Sequence, residues 1–182
     1  MKELVENSLD AGSSIVQLLI GQYGTEYVEI RDRGSGIDRD SLEVMCQFGG
    51  TSKIREYEDL QKGLSGYGFR GEGLAAIKMV SDVVVISKTR DADKAYKATY
   101  TAEDEKPQIQ ESVHEVGSTI KVIKPFVRDR LRRDDLVKNC RTIFRSLIEL
   151  MQTYAVIFPD RQFEMSHFAD GRNVNVFSYL RE

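Results

Sequence analysis

Long apolar runs are missing from this sequence. The most apolar stretches, such as IVQLLI and VVVIS, reach five or six residues, well short of the roughly 20 that a membrane-spanning helix needs. No membrane partner is therefore expected. Cysteine is scarce: Cys46 and Cys140 stand far apart inside helix-like patterns and read as small apolar residues in a reducing compartment rather than as a bridge. Histidine is equally scarce, with only His114 and His167, so no zinc-spaced cluster exists. Neither charge dominates. The 26 Lys and Arg nearly cancel the 29 Asp and Glu, leaving −3, which excludes a nucleic-acid binder working by bulk charge. No leader sequence is expected, because Met1 runs directly into the amphipathic KELVENSLDAG. That helix has no capping residue before it, and the far end stops in the strand-like NVNVFSYLRE. Both ends make the chain read as an interior piece of a longer protein.

What is present suits one folded domain over residues 1–182. The chain is 41% hydrophobic and 9% aromatic, enough for a core and unlike a disordered segment. After the first helix, IVQLLIG and TEYVEIRD read as strands joined by a Gly-containing turn. DRDSLEVMCQF has helical spacing and ends at Gly49-Gly50, and residues 49–73 read as a mobile, glycine-rich loop. LAAIKMV is a helix, DVVVISKTR a buried strand and AYKATYT a half-exposed one. AEDEKPQIQES reads as an acidic loop before the strand GSTIKVIK. Residues 134–154 carry Leu136, Cys140, Ile143, Leu147, Leu150 and Tyr154 at steps of three and four, the longest helix. QFEMSHF and RNVNVFSY follow as strands turned by Ala169-Asp170-Gly171. Helices over a mostly antiparallel mixed sheet make an α+β two-layer sandwich.

Three elements carry candidate chemistry. In the first helix Leu4, Val5 and Leu9 form the apolar stripe, while Glu3, Asn7 and Asp10 share one face. An amide oxygen is a hard neutral ligand for Mg²⁺, and a nearby carboxylate can take a proton from attacking water. The bland alternative is a solvated polar face. In YVEIRDRGSGI, Val28, Ile30 and Asp32 alternate, so the carboxylate faces the core side and needs a donor, for which an adenine amino group is suited. A tight turn built from Asp and glycines explains the same residues. The third element, GLSGYGFRGEGL, opens a helix, and its main-chain N–H groups suit a phosphate. Gly66-Tyr67-Gly68-Phe69-Arg70-Gly71 also matches the dinucleotide fingerprint. The polar REYEDLQKGLS stands where that fingerprint requires a buried strand, so the match fails.

KELVENSLDAG, DRGSGI, TSKI and YGFRGEGLAAI, in this order, resemble the successive motifs of the MutL family of DNA mismatch-repair ATPases, within the GHKL superfamily. GST at 117–119 resembles its late Gly-Thr-Thr. TSKI and GFRGE separate this branch from gyrase and the kinases. The tyrosine-glycine in QYGTEYVEIRD looks like the eukaryotic PMS-type subunits, which implies a nuclear protein. The resemblance implies a Bergerat-type sandwich that binds ATP and Mg²⁺. By position, Glu3 becomes the general base, Asn7 the Mg²⁺ ligand and Asp32 the acceptor for adenine. Gly36 would pass close to the base, and Ser118 would support it through its hydroxyl. Gly68, Phe69, Arg70 and Gly71 would form a lid on the triphosphate, with Thr51, Ser52 and Lys53 on a loop that rearranges with ATP. Several positions depart from the pattern. Arg33 replaces an Asn and would put a bulky cation beside the nucleotide; Gly73 replaces an Ala; KPFVRDRLRR replaces Asn-x-Pro-x-Arg. The family's second domain, which brings a lysine to the γ-phosphate, lies outside the chain, so turnover by this piece alone is expected to be weak.

Between Arg128 and Arg145 seven basic residues face three aspartates, a local +4 that leaves −7 elsewhere. Arg132, Arg133 and Arg141 are the candidate contacts to duplex DNA, through phosphates and without base readout. The alternative is a solvated helix edge with interleaved acids. The functional expectation is a nucleotide-gated clamp subunit for mismatch repair, partnered by another MutL-family subunit in a heterodimer and by a mismatch-recognition protein. Two other readings stand beside it: another GHKL enzyme, such as a topoisomerase subunit or kinase, and a non-catalytic partner subunit.

Overall fold

Strict alternation builds the sheet. In β1 (Ile15–Gly21) Val16, Leu18 and Ile20 are buried, and in β2 (Tyr27–Asp32) Val28, Ile30 and Asp32 point the same way. The computed structural model describes residues 1–47 and 73–180. Within them β3 (Asp82–Lys88), β4 (Ala95–Tyr100), β5 (Gln108–Ser112), β6 (Gly117–Ile123), β7 (Gln162–Ala169) and β8 (Arg172–Tyr179) complete one eight-stranded sheet. Its order is β5-β4-β3-β6-β2-β1-β7-β8. Neighbours are antiparallel throughout except β1 and β7, which run parallel. Four α-helices, α1 (Lys2–Asp10), α2 (Arg39–Val44), α3 (Gly73–Val80) and α4 (Arg130–Ile157), and a 3₁₀ turn at Gln22–Gly24 complete the described fold. This is the expected two-layer α+β sandwich. Among the described residues no helix is long and apolar enough to cross a membrane.

The cross-strand register stacks like with like. Leu18, Ile30, Ile120, Val85 and Ala98 face one another across five strands and form the apolar centre. The next row toward the end of the sheet reads Val16, Asp32, Ser118, Ser87 and Tyr96. The core therefore gives way to a polar row at its edge. On the other side of the sheet Glu29 is paired with Arg31 and Lys121, and Gln17 donates to Glu164 at 2.7 Å. Antiparallel sheets tolerate one polar face in this way.

α1 buries Leu4, Val5 and Leu9, and α4 reaches it through the Tyr154 hydroxyl, which donates to Glu6 at 3.0 Å. Glu6 and Ser8 are thus also buried, two polar positions that the apolar stripe alone does not reveal. Two expectations need correction. The segment read as an acidic loop contains β5, because an edge strand needs only main-chain pairing with β4 and no apolar face. α4 runs past 134–154 at both ends, started by the Asp129 side chain accepting from the Arg132 N–H at 3.1 Å. Its buried positions include Phe144, Met151 and Ala155 beside Leu136 and Tyr154.

Candidate functional site

Asp32 ends β2 with its carboxylate buried at 8% exposure. One oxygen accepts from the Gly34 N–H at 2.8 Å, and the other from the Ser8 hydroxyl at 3.3 Å. Burial pushes its pKa above the ordinary carboxylate range, and the bonds from Gly34, Ser8 and the Ser118 backbone only partly oppose that. Each oxygen retains acceptor capacity, and the charged form gains from any further donor.

Directly across the strands from Asp32 stands Ser118, whose hydroxyl lies 3.0 Å from that of Ser87. Ser87 donates to the Gly117 carbonyl and accepts from the Ile37 N–H, both at 2.8 Å. The single proton of Ser87 is committed to that carbonyl, so Ser118 is the donor between the two hydroxyls. Ser87 thereby fastens the 34–37 turn to the polar row. Sequence reasoning missed both Ser87 and Ser8. Their signal was a serine at a core position, Ser87 following Val83 and Val85 in strand alternation and Ser8 one turn after Leu4.

The surroundings of Gly36 by themselves require a glycine. Its φ is +77°, and a Cβ there would run into the Lys88 carbonyl. Gly36 thus lies against the end of β3. Arg33 has a partner of its own. It follows Asp32 and points to the opposite side, where its guanidinium lies 3.5 Å from Glu115 with both side chains well exposed.

Glu3 and Asn7 are half-buried on one face of α1. A Cβ on Gly73, the first residue of α3, would overlap the Glu3 carboxylate. Among the described residues no three His, Cys, Asp or Glu side chains converge to hold a metal ion. A protein cage is not needed for Mg²⁺, which is commonly held by one or two side chains and the phosphates of a substrate. The amide oxygen of Asn7 suits that role in hardness and charge. Thr51, Ser52, Lys53, Gly68, Phe69, Arg70 and Gly71 lie outside the described residues.

The three candidate arginines separate. Arg133 donates to the carbonyls of Thr25 at 2.6 Å and Pro125 at 3.1 Å. Arg132 is half a turn out of phase with Arg141 on the helix, and its guanidinium lies 3.4 Å from Asp129. Arg141 stacks at 5.4 Å from the Tyr23 ring centroid. Arg130, Lys138, Arg141 and Arg145 are exposed and fall within about 80° of one another around α4.

Residues 1–126 match the family model described as histidine kinase-, DNA gyrase B- and HSP90-like ATPase. The chain belongs to this ATPase family. It is also 40% identical over 167 residues to the DNA mismatch repair protein MutL of Shewanella baltica, a match covering 92% of the chain and 26% of that relative. The chain thus spans about a quarter of the length of the curated relatives it matches. A crystal structure of the N-terminal domain of a DNA repair protein superposes with a TM-score of 0.84 and 26% identity, covering 99% of this chain and 51% of that one. The Aquifex aeolicus MutL ATPase domain complexed with ADP shares the fold, with a TM-score of 0.70 at 23% identity, covering 100% of this chain and 62% of that one. The ATPase fold expected from the motifs is therefore shown. The nuclear location is overturned, because the matched MutL relatives come from Shewanella and Pseudomonas, bacteria without a nucleus.

Proposed function

We propose that this chain binds ATP with Mg²⁺ and hydrolyses it as the nucleotide-binding domain, over 1–182, of a MutL-like mismatch-repair protein. The observation that carries the reading is Asp32, a buried carboxylate with spare acceptor capacity beside the hydroxyl row of Ser118 and Ser87. Asp32 accepts from the adenine amino group. Ser118 has given its proton to Ser87, so its oxygen accepts from the base or from a water beside it. On α1 Asn7 offers its amide oxygen to Mg²⁺, which neutralises charge on the phosphates when bound. Glu3 takes a proton from the attacking water as its oxygen bonds to the γ-phosphorus and the bridging P–O bond to ADP breaks. ATP binding would govern association with another MutL-family subunit and with a mismatch-recognition protein. The stripe Arg130, Lys138, Arg141 and Arg145 contacts duplex DNA through phosphates, without reading sequence.

Equilibrium ATP binding measured beside single-turnover hydrolysis tests the assignment. Release of inorganic phosphate with no phosphorylated protein supports it, whereas transfer to a histidine would identify a kinase of the same superfamily. Failure to bind ATP at all would sink the nucleotide reading.

A further inference from the structure

Ser87 is fully enclosed, at 0% exposure, and its hydroxyl makes every bond open to it. It donates to the Gly117 carbonyl and accepts from the Ile37 N–H, both at 2.8 Å, and stands 3.0 Å from the Ser118 hydroxyl. A hydroxyl has one proton and two lone pairs. The carbonyl takes the proton and the Ile37 N–H takes one lone pair, so the other lone pair accepts from Ser118. Register produces this arrangement: Asp32 pairs with Ser118, and Ser118 with Ser87, across β2, β6 and β3. Donation along the row therefore runs away from Asp32. The Ser118 oxygen is left with lone pairs alone, next to a carboxylate that, when charged, also only accepts.

We propose that Ser87 is a positioning residue for base selection: by holding the Ser118 proton, it makes the edge that faces the base accept at both Asp32 and Ser118. This rests on the reading of those two residues as the adenine site. Adenine offers that edge an amino group at its 6 position, which is a donor. Hypoxanthine carries a carbonyl oxygen there, which meets two acceptors and no donor. A polar group left unmet in this way is what lets a hydrogen-bonding site reject an analogue. Ser87 acts from one strand further along the row, in β3 beside β6, through the proton of Ser118. Ser87→Ala releases that proton, and the Ser118 hydroxyl can then turn it toward a carbonyl at the 6 position.

The test measures equilibrium binding of ATP and of inosine triphosphate, each with Mg²⁺. It compares the protein with Ser87→Ala, Ser87→Cys, Ser118→Ala and the Ser87→Ala, Ser118→Ala double variant. The parent should prefer ATP about 5- to 150-fold, the cost of one unmet buried polar group. Ser87→Ala should narrow that preference about 3- to 10-fold, the worth of one neutral hydrogen bond. A looser 34–37 turn, from the lost Ile37 bond, weakens both triphosphates alike and leaves their ratio unmoved. The ratio thus reports the proton and not the fold. Ser87→Cys keeps the bulk with a weaker acceptor, so its ratio should fall between, and it carries the same comparison if Ser87→Ala does not fold. In the Ser118→Ala background Ser87→Ala should leave the ratio unchanged. An unchanged ratio in Ser87→Ala overturns the proposal, and so does an equal narrowing with the Ser118 hydroxyl removed. A parent that binds both triphosphates equally overturns it too. A parent that binds neither would instead remove the nucleotide reading, a separate failure.

Discussion

The Ser8 hydroxyl, on the second turn of α1, donates to the Asp32 carboxylate at the end of β2 across 3.3 Å. It is shared with the Leu4 carbonyl at 3.2 Å. The helix that carries Glu3 and Asn7 is thereby tied to the strand that carries Asp32. Ser8→Ala removes one of the donors that oppose the burial penalty on Asp32. We expect a loss of about 1 kcal/mol in denaturant unfolding, since the shared proton makes this a weaker bond than most. The Asp32 pKa should rise further, and carboxylate titration by NMR checks that direction.

The proposed adenine-binding and hydrolytic residues should fail differently. Asp32→Asn replaces an acceptor oxygen with a donor amide, and a mismatched buried polar group costs about 1–3 kcal/mol, so ATP affinity should fall roughly 5- to 150-fold. Burial raises the folded-state pKa of Asp32. Its contribution to stability is thus complete below the unfolded pKa and is lost as pH rises through the folded value. At neutral pH the charge is a burden, and Asp32→Asn should raise the melting temperature of the unliganded protein while it weakens binding. Glu3→Ala should keep binding and slow the hydrolytic step about 10²- to 10⁴-fold. Loss of binding in Glu3→Ala, with Asp32→Asn spared, would reverse the two roles.

Arg133 and the exposed stripe of α4 should separate stability from DNA binding. Arg133→Ala strands the carbonyls of Thr25 and Pro125 and should cost about 1–3 kcal/mol of stability. Replacing Arg130, Lys138 and Arg145 together should leave unfolding nearly unchanged. Duplex binding should weaken equally for any sequence, and its log–log salt slope should flatten by up to about three. An unchanged slope would make the stripe a solvated helix face.

His167 supplies a pH dependence. Its Nε2 accepts from the Tyr23 N–H at 3.2 Å, and its ring packs 4.3 Å from that of Tyr23 and 4.6 Å from that of Phe144. Burial pushes its pKa below the ordinary value, only partly offset by Asp170. The folded state therefore binds fewer protons. The His167 contribution is complete above the unfolded pKa of about 6.5 and is lost as pH falls from there through the folded value. Melting temperatures measured from pH 8 to 5 should drop for the protein. They should drop less for His167→Gln, whose amide oxygen can accept the same bond without titrating.

The sequence alone determined most of the described elements and which of their apolar residues face inward. Helical spacing put Glu3 and Asn7 on one side of α1, and alternation turned Asp32 inward with Val28 and Ile30, because local backbone geometry fixes both periods. Tertiary structure decided what those faces meet. The placement of β7 beside β1, the row of Asp32, Ser118 and Ser87, and the bond from Ser8 all join residues far apart in the chain. Pattern shows that a side chain is buried but not which partner satisfies it. For the same reason β5, a polar edge strand, looked like a loop: main-chain pairing with a neighbour leaves no mark on side-chain periodicity. Arg133 looked like its neighbours on α4 until the fold brought the Thr25 and Pro125 carbonyls to it. A charge is legible in sequence, but whether it faces water or a carbonyl depends on non-local packing.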